Sequence, residues 1–138
     1  MKSELFPKTA RMEDFAPYDE FYLGRWGRDL QYHFPFLDQA SIAHPYQLFY
    51  YIWKLSYLFG TKYSHHSLAY EDLLTNTEKS LEALLNVVEI KPHNIDRLKN
   101  LIVAPPLGKW KLYAEDEWFS HHENVCESVL SDFLRDMT

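Results

Sequence analysis

An α-dominated α/β domain, with about five helices around one or two short strands, is the fold class that the sequence predicts. Three observations predict it. Apolar residues recur at three- and four-residue spacing through most of the chain. Pro and Gly punctuate these stretches at helical lengths. One short stretch, Tyr63 to Tyr70, reads instead as extended.

The elements follow in order. Residues 1–12 form an irregular arm. From about Tyr18 to Phe34 the spacing of Phe21, Trp26, Leu30, His33 and Phe34 is helical, and Leu37 continues the series. Gly24 and Gly27 weaken one continuous helix there, and Pro35 ends it. Ser41 to Phe59 is the clearest long helix, with Pro45 in its first turn and Gly60 just past its end. Its apolar residues surround the axis, which predicts a buried, central helix. After the extended Tyr63 to Tyr70, a third helix starts at Thr75, where Thr75-x-x-Glu78 matches a capping box. Leu81, Leu84, Leu85 and Val88 form its stripe. Pro92 breaks the chain, and Asn94 caps a short helix carrying Ile95, Leu98, Leu101 and Ile102. Pro105-Pro106 forces an extended connection to Leu107-Gly108-Lys109-Trp110-Lys111. The last helix starts near Glu115, with Glu115, Asp116 and Glu117 at the positive end of its dipole. Its stripe is Trp118, His122, Val125, Cys126, Val129 and Phe133.

At 138 residues the chain reads as a single domain, 1–138, large enough to bury a sizeable core. Aromatic residues make up 17% of it, which predicts a core built on rings. A formal charge of −6 gives no sign of the basic surface that nucleic-acid binding needs. The single cysteine, Cys126, excludes an internal disulfide. Lys2, Glu4 and Lys8 interrupt any signal-peptide pattern, so a reducing, cytoplasmic setting is expected. The apolar run Tyr46 to Phe59 contains Lys54 and falls short of the roughly twenty residues of a membrane span.

Four glycines, Gly24, Gly27, Gly60 and Gly108, cannot build a phosphate cradle of the Walker or dinucleotide type. Gly108-Lys109-Trp110-Lys111 is the best remaining anion site, since Gly admits a close approach and two lysines supply charge. The same residues also fit a surface turn with two solvated lysines. His122 and Cys126 have the spacing of a helical metal pair, but a closed site needs further ligands, and their place on the stripe favours a core role with no metal. His65-His66 and His121-His122 are adjacent pairs without a metal pattern. His33 and His44 flank the first loop, and no spacing selects either as a base, so the catalytic residues are unknown.

The order Tyr70-Glu71-Asp72-Leu73, then the helix Thr77 to Val88, then Gly108-Lys109-Trp110 resembles the C-terminal half of the sulfotransferases that use 3′-phosphoadenylyl sulfate. The resemblance covers residues 40–134, and more weakly 18–39. It implies a strand ending at the Y-E-D-L turn, a following helix, and a loop over the donor. It further implies that Lys109 contacts a donor phosphate, that Gly108 admits it and that Trp110 packs beside it, with Lys111 in the same cofactor-binding loop. Tyr70, Glu71 and Asp72 would be architectural. The family's P-loop, catalytic base and Arg/Ser pair for the 3′-phosphate have no counterpart here, and Arg25 and Arg28 do not fill that role.

Three functions are therefore open. One is sulfuryl transfer to a hydroxyl or amine acceptor, completed by a missing N-terminal nucleotide-binding half. A second is a non-catalytic helical interaction module that associates through aromatic surface with a partner or, as a homo-oligomer, with a second copy. The third is a His/Cys metal protein.

Overall fold

The computed structural model describes residues 6–91 and 94–137. Its elements are α1 (Met12–Phe15), α2 (Leu23–Leu30), α3 (Pro45–Tyr63), α4 (Tyr70–Thr75), α5 (Thr77–Val87), α6 (Ile95–Leu101) and α7 (Asp116–Asp136). Short 3₁₀ turns span Ala16–Tyr18, Pro35–Leu37, Gln39–Ser41 and Lys109–Leu112. Contacts divide the chain into two compact units, Met1–Tyr57 with Lys109–Thr138, and Leu58–Gly108.

The described residues contain helices and no strand, which overturns the α/β expectation. The reason lies at Ser64 to Ala69. An isolated extended segment has no partner to take its ladder N–H and C=O groups, and no second strand is present among the described residues. Tyr70-Glu71-Asp72-Leu73 is the first turn of α4, not a strand end. Glu71 and Asp72 lie where the helix dipole favours carboxylates.

The capping box at Thr75 does not form either. Thr75 Oγ1 donates back to the Glu71 carbonyl at 2.8 Å, inside α4. The next helix starts at Thr77, whose Oγ1 donates to the Leu73 carbonyl at 2.8 Å. Ser80 Oγ reaches the Asp72 carbonyl at 3.1 Å, so hydroxyls of α5 bond the carbonyls of α4. Ser80 is the one buried residue described in this second unit, which therefore holds its helices with little apolar core.

Two helix ends behave as the sequence predicts. Asn94 Oδ1 accepts the Arg97 N–H at 2.9 Å and caps α6. Glu115 is the N-cap residue of α7, with Asp116 and Glu117 in the first turn. The break expected at Pro92, and residues 1–5 of the irregular arm, lie outside the described residues.

In the first unit, the stretch expected as one helix from Tyr18 contains a turn and then α2. Tyr22 takes a left-handed conformation, φ 57°, and Asp19 accepts the N–H groups of Leu23 at 2.8 Å and Gly24 at 2.7 Å. That carboxylate starts α2 by taking two otherwise unpaired donors. Gly27 sits where α2 meets α3: a Cβ there would stand 3.1 Å from Leu48 Cδ1.

α3 has the predicted length, 19 residues, but starts and ends four residues later than predicted. It runs through Gly60, which lies inside it and not beyond its end. The helix is buried on one face only: Leu48, Tyr51 and Leu55 are inside, while Phe49, Trp53 and Tyr57 are exposed. The buried cluster joins these to Met12, Leu37, Ile42, Cys126 and Leu130. Rings edge this cluster, with Phe36 4.9 Å from Tyr51 and 5.2 Å from Phe133 between centroids. The innermost side chains are aliphatic or sulfur-bearing: Leu37, Leu48, Leu130 and Cys126.

Candidate functional site

α3 and α7 are joined by a polar ladder. Gln47 is buried; its Oε1 accepts the Ala43 N–H at 2.9 Å, which points its Nε2 at His122 Nδ1, 3.0 Å away. Tyr46 donates to Glu123 Oε1 at 2.7 Å, and Tyr50 donates to Glu127 Oε1 at 2.6 Å. Lys54 Nζ completes the last rung, 2.6 Å from the same Glu127 oxygen. Burial and the adjacent carboxylates push the Tyr46 and Tyr50 phenols well above their usual range. The Lys54 and Tyr50 hydrogen bonds hold the Glu127 carboxyl below its usual range.

His44 lies just before α3 and is buried. Its Nδ1 accepts the Tyr46 N–H at 3.0 Å, so the neutral ring carries its proton on Nε2. That atom stands 3.3 Å from both the Pro7 carbonyl and the Tyr113 hydroxyl. Burial lowers the His44 pKa, against the opposing pull of the Pro7 carbonyl. His122 is lowered too, first by burial and then by charge on His44 and His121. The two imidazoles pack 5.6 Å apart, with Trp118 against both at 4.9 Å and 4.4 Å. Both rings are therefore neutral packing elements near pH 7.

A cavity of about 470 Å³ opens beside this ladder. Seven rings line it: Phe6, Phe15, Tyr18, Phe21, Tyr46, Phe49 and Tyr113. Phe6 meets Tyr18 edge-on at 5.1 Å and Phe15 at 5.7 Å, which joins the N-terminal segment to the end of α1 and the turn after it. Tyr46 and Phe49, three residues apart on α3, stack at 6.3 Å. Leu23, Pro45 and buried His44 complete the apolar wall, and Asp19 and Glu20 are the carboxylates present. Among the described residues no Lys or Arg lines the cavity. Asp19 is occupied by the start of α2, whereas Glu20 forms no salt bridge among the described residues. Among the described residues the lining offers no hydroxyl or thiol paired with a free base. Its chemistry is that of a receptacle for an apolar group.

The anticipated anion loop, Gly108 to Lys111, lies at the surface. Gly108 closes the second unit at φ 84°, and Lys109–Leu112 is an exposed 3₁₀ turn of the first. Lys111 Nζ lies 5.4 Å over the Trp110 ring, whose edge contacts Phe119 at 5.1 Å. The structure thus brings Trp110 and Lys111 together, and leaves Lys109 exposed beside them.

His122 and Cys126 act as packing residues. Cys126 is fully buried, its thiol faces the Gln47 carbonyl at 3.9 Å, and burial pushes its pKa up to about 11. No group of three potential ligands that could hold a metal ion occurs among the described residues.

Sequence periodicity did not reveal the cavity, because its rings come from four separated segments. A signal was present: Phe15, Tyr18 and Phe21 recur every third residue outside any long helix, where burial in a helical stripe does not account for them. No family model matches the chain, and no curated protein and no solved structure matches it either.

Proposed function

We propose that this protein is a helical binding module that takes an apolar group of a partner molecule into the ring-lined cavity of its first unit. The observation that carries this reading is the cavity itself, with seven rings around about 470 Å³. That volume lies within the range of small-molecule and side-chain receptacles. Phe21 is 86% exposed and Phe49 is 52% exposed, so an occupant would remove apolar ring surface from water. Behind it, Tyr46 is held by Glu123 and His44 by the Tyr46 N–H, so this part of the wall needs little ordering on binding. Among the described residues no helix is long and apolar enough to cross a membrane, so the apolar surface is not that of a helical span.

Sulfuryl transfer has less to draw on. The residues that carried it, Tyr70 to Leu73, are helical, and Lys109 sits on an exposed turn.

Titration of the isotope-labelled full chain with toluene tests the binding reading. Saturable shifts confined to Phe15, Tyr18, Leu23, Tyr46 and Phe49 are expected. Shifts that rise linearly with toluene and spread over the whole surface would refute it.

A further inference from the structure

The charge around the cavity narrows the class of ligand. Among the described residues its wall holds no Lys or Arg, and its two carboxylates are Asp19 and Glu20. An anion entering there would meet like charge and, among the described residues, no compensating cation. The remaining polar atoms do not change that sign. His44 is neutral through its Tyr46 contact, and Tyr113 contributes a hydroxyl close to it. Aromatic faces carry negative quadrupole density, which attracts an ammonium positioned over them. The chain as a whole is also negative, at −6, so the long-range field has the same sign as the rim.

We propose that the ring-lined cavity binds an organic cation, an ammonium centre carried on an apolar body, with Glu20 facing the positive charge and the rings of Tyr18, Phe21, Tyr46 and Phe49 enclosing the apolar part. The inference rests on the reading of the cavity as a binding site and adds the sign of its ligand. Asp19 contributes less than Glu20, because two backbone N–H groups already share its charge.

Calorimetry on the full chain separates the two statements, using benzyltrimethylammonium and its uncharged isostere neopentylbenzene. The cation is expected to bind about 5- to 30-fold more tightly than the isostere. Glu20→Gln, an exposed substitution, is expected to shrink that ratio about two- to fivefold and to leave the isostere's affinity unchanged. Equal or tighter binding of neopentylbenzene overturns the cationic assignment and leaves the cavity reading standing. A ratio unmoved by Glu20→Gln overturns the role given to that carboxylate. Saturable binding of neither probe removes both statements.

Discussion

Gln47 is the residue whose replacement tests the α3–α7 ladder most sharply. It is 4% exposed and bonds two groups at once, the Ala43 N–H at 2.9 Å and His122 Nδ1 at 3.0 Å. Gln47→Leu keeps the volume and removes both bonds; the exposed Ala43 N–H turns to water, while the half-buried His122 Nδ1 is left unpaired. The stranded acceptor costs about 1–3 kcal/mol, the lost Ala43 bond about 1 kcal/mol, and the added apolar burial returns about 1 kcal/mol. The net loss is therefore about 1–3 kcal/mol, or roughly 4–12 °C in Tm for a chain of this size. Urea unfolding followed by helical circular dichroism measures the first number, and a thermal scan the second. Gln47→Glu supplies a control of different sign. Its carboxylate still accepts from Ala43 but turns an oxygen toward His122 Nδ1, which is then stabilised by a proton; the imidazole titration, read by NMR, moves upward. A Gln47→Leu protein within about 0.5 kcal/mol of the parent, or a His122 titration unmoved in Gln47→Glu, would show that these bonds do not form as described.

Other consequences follow from single positions. Gly60 lies inside α3 with open space where a Cβ would go, so Gly60→Ala should stabilise by about 0.5–1 kcal/mol in urea melts. Gly27→Ala should do the opposite despite the same gain in helix propensity, because its methyl would press on Leu48 and overpacking costs about 1–3 kcal/mol. Acid should destabilise the fold through His44 and His122. Both pKa values are lowered in the folded state, so the unfolded chain binds more protons just below pH 6.5, and stability falls as pH drops from 7 through that window. Urea midpoints between pH 5 and 7.5 measure it, and a flat profile would contradict the buried neutral pair.

How much of this was legible in the sequence depends on how local the determining interaction is. The Asn94 cap, the acidic start of α7 and the buried Cys126 could all be read, because each follows from neighbours within a few residues. The strand expected before Tyr70 failed for a non-local reason: a strand exists only if another pairs with it, and none does among the described residues. Thr75 looked like a cap because a hydroxyl three residues before a glutamate usually is one. Here its hydroxyl lies inside α4 and donates to the Glu71 carbonyl one turn back. Gly60 marks a helix end in many sequences, but α3 passes through it to Tyr63 with no steric penalty to stop it. The apolar residues of α3 surround its axis, yet packing covers one face only, and periodicity alone cannot say how much surface the rest of the chain is able to cover. The cavity was least legible, since Phe6, Phe21, Phe49 and Tyr113 meet only through the tertiary fold.

The central claim, that the ring-lined cavity of the first unit is a binding site, is tested most directly by comparing toluene affinity in the parent and in Phe49→Ala. Phe49 is half exposed on α3 and lines the cavity without belonging to the buried cluster, so its loss leaves the helix intact while opening one wall. The account predicts saturable binding by the parent and at least about a fivefold loss in the variant, as expected for removing a ring contact worth about 1 kcal/mol or more. Identical affinities in the two proteins would place the bound molecule elsewhere and contradict the claim.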